Sequence, residues 1–479
     1  MADFSPAGRA VLNRRKASVG DGGGRAVPHA GRYFEDPRGR FTGQGRLVLL
    51  PGTVEQVAQL VRLCSETGTG LIPFGGGTGV VAGQLSPENA HAVILSVERL
   101  NRVRDVNAQD GVMVAEAGCI LETIHATAAE HGLMFPLSMA SKGSCTIGGN
   151  LATNAGGIQV LRHGNARDLC LGVEAVLPSG EVLSELNPLR KNNTGYDLRH
   201  LLIGSEGTLG IITAATLVLK PIDPETVTAL CAIASPAAAL RVFEVLRKDL
   251  GNSLSGLELM SDFGLRLVNR HFPDLKNPLS DPQDWYLLAE VSGPEGIRER
   301  VEETLAACIE ADLVGDAVVA SSEGQRARLW DLRENTPEAN RLTGAICNSD
   351  TSVPISRIDE FISRTYRALG DVHPGLRTNS YGHIGDGNIH HNVFPPQDVA
   401  KADFIAAHPG IIDAVRHAID EVTVACGGSI SAEHGIGRLK IGDLEHYGSA
   451  VKLQVIRQIK AALDPKGIMN PGALVARPG

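Results

Sequence analysis

The chain has 479 residues, and at ~150 residues per domain this suggests two or three domains with cores large enough to enclose a cofactor. Hydrophobic residues make up 43% and charged residues 21%, which excludes a largely disordered chain. Against 45 basic residues stand 54 acidic ones, a net charge of −9 that argues against nucleic-acid partners, and no apolar run reaches the ~18 residues of a membrane helix.

The first 40 residues hold arginines and glycines without the apolar stretch of a secretory signal, and read as a frayed basic end. Thr53-Val54-Glu55-Gln56 fits a capping box opening a helix whose apolar face is Val57, Leu60, Val61 and Cys64, and Gly68 ends it. Leu71–Phe74 reads as a strand running into Gly75-Gly76-Gly77-Thr78-Gly79. Ala92–Val97 and Val112–Ala117 read as strands, and Ile120–His131 as a helix closed by Gly132. A second glycine-rich stretch runs from Gly143 to Gly157. Val173–Leu177 and Glu181–Leu183 flank a Pro178-Ser179-Gly180 turn as a hairpin. Strand-like Ile211–Leu219 is the last element before a boundary near 222, where the glycine blocks stop.

Beyond it come strands Val227–Ile233, Gly256–Met260, Trp285–Val291 and Ala317–Ser321, interleaved with helices Ala237–Leu250 and Ile297–Ala311. This order suggests an antiparallel sheet with helices on one face, an α+β layer. Further helices are expected at Glu323–Leu342, Ile358–Leu369, Asp403–Cys426 and Val451–Leu463. The cysteines at 64, 119, 145, 170, 231, 308, 347 and 426 form no CxxC pair and read as buried free thiols of a reducing, cytoplasmic setting.

Glycine is 55 of 479 residues, about 11% against a typical ~7%. Without Cβ atoms, backbone N–H groups can crowd a phosphate. Gly77-Thr78-Gly79-Val80-Val81-Ala82 formally fits GxGxxG/A, but Gly83 and Pro87 interrupt the helix a Rossmann site requires, and no isolated acidic residue ends a second strand about 20 residues on. A phosphate-cradling loop of another type fits better than a plain surface loop. The second cluster, Ser141-Lys142-Gly143-Ser144-Cys145-Thr146-Ile147-Gly148-Gly149-Asn150 with Thr153-Asn154-Ala155-Gly156-Gly157, offers backbone donors, small hydroxyls and amides. Such a lining can hold a pyrophosphate, a ribityl chain and a flavin edge.

Pro73–Gly79, Gly143–Gly157 and Gly204-Ser205-Glu206-Gly207-Thr208-Leu209-Gly210-Ile211-Ile212 resemble the three FAD segments of the vanillyl-alcohol-oxidase/PCMH class of flavoproteins. The likeness spans roughly residues 35 to 475. It implies an α+β protein: a PCMH-type FAD-binding domain (1–222), an α+β cap or substrate domain with an antiparallel sheet (223–440), and a C-terminal segment (441–479) packing back on the FAD domain. It also implies FAD contacts from Gly75, Gly76, Gly77, Thr78, Gly79, Pro136, Ser141, Gly143, Ser144, Thr146, Gly148, Gly149, Asn150, Thr153, Asn154, Gly156, Glu206, Gly207, Gly210, Ile211, Ile212 and Asn470. The first loop has no histidine, so the FAD is expected to be noncovalent.

Tyr381-Gly382-His383-Ile384-Gly385-Asp386-Gly387-Asn388-Ile389-His390-His391-Asn392 carries a second signal. Asp386-Gly387 taken as a two-residue turn pairs His383 with His390 and puts Tyr381 and Asn392 on the same face, with His391 pointing away. Two converging imidazoles are the usual start of a transition-metal site, although histidines also pair across hairpins without a metal. Ser431-Ala432-Glu433-His434-Gly435-Ile436-Gly437 offers a third ligand, and His2Glu suits Zn²⁺, with Mn²⁺ or Co²⁺ as alternatives.

These strings resemble the GHxGDGNxHxN and EHGxG motifs of FAD- and metal-dependent D-2-hydroxyacid dehydrogenases, of the D-2-hydroxyglutarate and D-lactate types. The resemblance implies metal ligation by His383, His390 and Glu433, His434 as general base and Asn392 at the substrate. Leu329-Trp330-Asp331-Leu332-Arg333-Glu334 resembles the string whose arginine grips the substrate carboxylate. Asn348 stands where hydroxyglutarate enzymes carry a lysine, and Pro337 where they tend to have a threonine, whereas Lys191–Leu198 looks like the hydroxyglutarate branch, so the substrate stays open. The implied reaction passes a hydride from Cα to FAD and electrons onward to electron-transfer flavoprotein, a quinone or a cytochrome. It is compatible with a homodimer. The competing readings are a glycolate-oxidase-type subunit of a complex, a flavin-free metallohydrolase and a noncatalytic binding module.

Overall fold

The computed structural model describes residues 24–26, 31–36, 38, 39, 41, 43, 47–85, 92–279 and 283–476; most of the basic N-terminal stretch, and Pro87, lie outside the described residues. The chain forms two compact units, the first built from 1–157, 164–222 and 433–479 and the second from 158–163 and 223–432. The chain therefore re-enters the first unit at Glu433, ahead of the expected 441.

Unit 1 holds two sheets. In the first, Leu47–Leu49 and Leu71–Phe74 both pair parallel with Val93–Ser96, and Gly24–Ala26 adds an antiparallel edge. The crossover between the outer parallel strands is helix Val54–Thr67. Thr53 Oγ1 accepts the Gln56 N–H at 3.3 Å, Gln56 reaches back to the Gly52 N–H at 2.7 Å, and Gly68 closes the helix in the left-handed region. The second sheet is antiparallel, in the order Val103–Asn107, Val112–Glu116, Ile211–Val218, Cys170–Val176, Val182–Ser184. C-terminal residues complete the first sheet: Leu71 donates to the Ile468 carbonyl and Asn470 to that of Leu71, both at 2.8 Å.

Unit 2 is built on one antiparallel sheet in the order Asp316–Val319, Glu225–Ile233, Trp285–Gly293, Leu254–Ser261, Arg377–His383, Asn388–Phe394, Cys347–Asn348, with Thr351–Ser352 also on Asn388–Phe394. The expectation of helices on one face is corrected. Pro236–Leu250, Ile297–Glu310, Ile358–Val372 and Ile411–Ala425 pack with Leu257, Leu259 and Leu287. Asp262–His271, Glu323–Glu334 and Thr336–Thr343 pack with Met260, Tyr286 and Leu288 on the other side. The central strands are buried residue by residue, so both faces require cover.

Two expected helices are broken. Glu323–Leu342 divides at Asn335, because Pro337 in the first turn of the following helix has no N–H to continue the ladder to the Arg333 carbonyl. Asp403–Cys426 divides into Lys401–Ala407 and Ile411–Ala425 around Pro409-Gly410, with Gly410 at φ 83°. The second glycine stretch contains a short helix, Ile147–Ala152.

Candidate active site

In unit 1 the two glycine segments meet backbone to backbone. A Cβ on Gly76 would sit 2.1 Å from the Ser144 carbonyl oxygen, and one on Gly75 2.7 Å from Thr146 Oγ1. Gly77, Thr78 and Gly79 continue as turn and coil, with Gln84 donating to the Gly79 carbonyl at 2.8 Å, and no helix opens between Gly75 and Leu85. Thr146 Oγ1 and Asn150 Oδ1 are buried with no hydrogen-bond partner. Buried polar atoms are costly to leave unmade, so these two mark the segment as lining for a polar ligand. An uncharged lining of hydroxyl, amide and backbone fits the polar edge of FAD.

Around this helix Thr153 Oγ1 donates to the Gly149 carbonyl at 3.1 Å, Ser144 Oγ to Ser141 at 3.3 Å, and Asn154 Oδ1 accepts the Arg167 N–H at 3.0 Å. Gly148 packs on Ala117, whose Cβ an added methyl would meet at 2.5 Å. Pro136, Ser141, Gly143 and Gly156 lie in the irregular segments flanking the helix. Gly207 at φ 70° packs on Pro73, and Gly210 leads into the strand that begins with Ile211 and Ile212.

Glu206 and Asn470 have a different kind of environment. The Glu206 carboxylate accepts the N–H groups of Ile436 and Gly437, each at 2.7 Å, and burial pushes its pKa up against them. Asn470 Nδ2 donates to the Gly83 and Glu206 carbonyls at 3.0 and 2.8 Å, and its Oδ1 accepts from Arg438 at 2.8 Å. Both side chains are thus bound to the chain itself.

In unit 2 the hairpin's register departs from expectation. The loop is four residues, 384–387, and His383 pairs with Asn388, Tyr381 with His390 and Asn379 with Asn392. Ile384 cannot join the ladder because its N–H is taken by the Leu257 carbonyl at 3.1 Å, while Asp386 Oδ1 accepts the Asn388 N–H at 3.1 Å. Gly387 sits at φ 88° with the Val353 carbonyl oxygen 2.1 Å from where a Cβ would be, so no side chain fits there. The slip is two residues, which preserves facing. His383 and His390 therefore share a face diagonally, with ring centroids 6.2 Å apart.

Strand Leu254–Ser261 lies beside this hairpin, and its Glu258 pairs directly with His383. Glu258 is fully buried; Oε1 accepts from His383 Nδ1, and Oε2 from Arg333 Nε at 2.6 Å. The Arg333 guanidinium lies 4.7 Å over the Tyr381 ring, and Tyr381 stands 5.3 Å from the His390 ring. Glu258, His383, His390, Tyr381 and Arg333 thus form a closed ring of contacts. Burial opposes ionisation of Glu258, but Arg333 and His383 outweigh it and hold its carboxyl down at about 2. His390 Nδ1 lies 3.1 Å from the Ser349 carbonyl, which can only accept. Both acceptors call for a proton on Nδ1, and in a neutral ring that leaves the lone pair on Nε2, the arrangement that ligates a metal.

His391 faces the opposite core, with Nδ1 2.7 Å from Ser380 Oγ and its ring against Phe361; burial pushes its pKa down to about 3. Asn392 is buried, and its ladder neighbours are Asn379 on one side and Asn348 on the other. Pro337 is the second residue of the helix after Arg333, and Thr336 Oγ1 donates to the Leu332 carbonyl at 3.2 Å. The Lys191–Leu198 segment is irregular and mostly exposed. Ala432, the last residue of unit 2, donates to the Asp350 carbonyl at 3.3 Å, so Glu433 and His434 follow this tether by one and two residues. His434 Nε2 lies 4.0 Å from Glu433 Oε1. Glu258 escaped the sequence reading. Its signal was a lone carboxylate between Leu257 and Leu259 in the stretch Gly256–Met260, which is otherwise without polar side chains.

Comparison with known proteins agrees with this architecture. The family described as "FAD linked oxidases, C-terminal domain" matches residues 222–474, and "FAD binding domain" matches 46–184. The chain is 39% identical to a D-2-hydroxyglutarate dehydrogenase of Xanthomonas citri pv. viticola, covering 92% of each chain. It is 36% identical to a mitochondrial D-2-hydroxyglutarate dehydrogenase of Arabidopsis thaliana, covering 90% of this chain and 75% of that one. The fold is similar to 4-ethylphenol oxidase from Gulosibacter chungangensis, with TM-score 0.76, 21% identity and coverage of 100% and 99%. A PCMH-type flavin fold carrying a charged, imidazole-rich hairpin is that of an FAD-dependent oxidoreductase. The chain belongs to the FAD-linked oxidase family.

Proposed function

We propose that this chain oxidises a small D-2-hydroxy acid to the 2-oxo acid, and that His383, His390 and Glu433 hold a divalent metal, zinc or else manganese or cobalt. The closed contact ring of Glu258, His383, His390, Tyr381 and Arg333 supports this reading, because it gathers two imidazoles and one guanidinium on one sheet face. The relatives' substrate supports the D-2-hydroxy acid class, with D-2-hydroxyglutarate, D-lactate or a related acid as candidates. The tether of Ala432 to Asp350 supports Glu433 as third ligand.

Bound FAD would supply the acceptor for the Cα hydride, and a metal held by His383, His390 and Glu433 would supply the Lewis acidity that eases loss of the α-hydroxyl proton. The chain's own residues do the rest. Arg333 grips the substrate carboxylate, a task suited to its planar fork. His434 receives the hydroxyl proton, and Asn392 hydrogen-bonds the substrate. The glycine segments and the orphaned Thr146 and Asn150 oxygens support noncovalent FAD. Electron-transfer flavoprotein, a quinone or a cytochrome would reoxidise it. Eight free cysteines support a reducing compartment such as the cytoplasm, and among the described residues no helix is long and apolar enough to cross a membrane.

The test is an anaerobic visible spectrum before and after D-2-hydroxyglutarate, D-lactate or D-malate, with and without EDTA. Bleaching of the flavin band by one D-acid, lost with EDTA and restored by Zn²⁺ or Mn²⁺, is the expected result. A yellow protein that no D-hydroxy acid bleaches removes this function.

A further inference from the structure

We infer that Glu258 is the positioning residue of this site, a single buried carboxylate that sets both the tautomer of His383 and the place of the Arg333 guanidinium. The inference rests on His383 being a metal ligand and Arg333 the carboxylate grip.

Glu258 is 0% exposed at the centre of a strand whose neighbouring residues, Leu257 and Leu259, belong to the opposite core. A carboxylate buried there is tolerated only with strong partners. It has two, one on each oxygen: His383 Nδ1 on Oε1 and Arg333 Nε on Oε2. Because an ionised carboxylate only accepts, it holds a proton of His383 on Nδ1, so that in the neutral ring the lone pair falls on Nε2. Because Nε is the inner nitrogen of the guanidinium, binding it fixes the plane of the whole fork. The adjacent strand supplies a contrast. Glu290 is also buried, but it accepts from Trp330 Nε1 at 2.7 Å and Thr228 Oγ1 at 3.4 Å, and touches no imidazole among its hydrogen-bond partners.

Glu258→Gln keeps the shape but has one acceptor oxygen for two donors. Arg333 cannot give up its proton, whereas an imidazole can change tautomer. The amide oxygen therefore goes to Arg333, and the NH₂ group faces His383 Nδ1. The imidazole proton then moves to Nε2, where it blocks ligation. Replacing Arg333 as well, in Glu258→Gln/Arg333→Met, returns the amide oxygen to His383 and restores the Nε2 lone pair.

The experiment is zinc competition with a chromophoric chelator on the purified, flavin-loaded full chain. Glu258→Gln is expected to bind zinc roughly 10–100-fold more weakly than wild type, the range for outer partners of metal-ligating histidines. Glu290→Gln should match wild type. Excess zinc should restore turnover of Glu258→Gln with little change in KM. If Glu258→Gln loses its flavin, the double variant carries the test: wild-type zinc affinity without carboxylate grip supports the inference. Wild-type affinity in a folded Glu258→Gln, or weak affinity in a folded double variant, overturns it. A wild-type chain that takes up no zinc overturns the metal reading itself and the inference with it.

Discussion

The glycine segments of unit 1 and the hairpin of unit 2 make their sites by opposite means. In the first, side chains are absent so that backbone can meet backbone, as where Gly76 lies against Ser144 and Gly148 against Ala117. In the second, the backbone stays in regular pairing and side chains do the meeting, in a ring through Glu258, His383, His390, Tyr381 and Arg333. The lesson concerns tolerance. A site made of bare backbone fails where an added atom meets backbone, as at Gly76. A site made of side chains accepts changes of shape more readily than changes of charge or of proton placement.

Gly76→Ala breaks the comparison hardest. Its methyl would sit 2.1 Å from one backbone atom and 2.8 Å from another, neither of which can rotate away. We expect a loss of about 3 kcal/mol or more, together with loss of bound flavin. Gly68→Ala is the matched control, with positive φ but nothing within 4 Å of the added Cβ; it should cost about 1–2 kcal/mol and leave the flavin in place. Denaturant unfolding and the flavin-to-protein absorbance ratio separate the two.

Arg333→Ala strikes the second region instead. It leaves Glu258 buried without its guanidinium partner, at a cost of about 3–5 kcal/mol. It should lower kcat/KM for the D-hydroxy acid by about 100-fold or more, since a buried charge-assisted grip is lost. Flavin content should stay near that of wild type, and a variant that turns over normally would remove the carboxylate assignment.

Tyr381→Leu sharpens the picture at smaller scale. It deletes the ring under Arg333 while leaving the Glu258 ion pair, so a stability loss of about 1 kcal/mol is expected, with the larger change in KM. Equal changes in KM and in an Arg333-independent step would place Tyr381 outside the ring's function.

The smallest effect lies in unit 1, at an ion pair. Burial raises the Glu116 pKa, but Arg102 and Arg104 overcome this and hold it below the usual carboxylate value. A carboxyl with a depressed folded value binds its proton more readily in the unfolded chain. Its contribution is therefore complete above the ordinary carboxylate range and fades as pH falls through its folded value. Glu116→Gln should flatten the acid limb of stability against pH and leave the hairpin's chemistry untouched.

Much of this was legible because apolar periodicity reports burial. The helix after Thr53, the strand before Gly75 and the hairpin around Ser179 follow their residues closely. The common face of His383 and His390 was legible too, since facing depends only on the parity of their spacing. Their register was not, because it was settled by Ile384 bonding to a strand more than a hundred residues earlier. Glu258 was hidden for the same reason. Nothing local distinguishes a carboxylate that will meet an arginine and a histidine from distant strands and helices. Helix ends near Pro337 and Pro409 were missed where apolar spacing ran across a proline and outweighed it.

The order in which the chain visits its two units has a consequence for synthesis. The peptide leaves the first unit for 158–163 and again for 223–432, and returns for its last stretch. The edge of the first sheet is closed by Ile468 and Asn470 on Leu71. During translation the second unit has all its strands once Ala432 has emerged, while the first waits for nearly the final residues. The segment begun first is the one finished last, so the nascent glycine cradle stays open until the hairpin unit can already have folded.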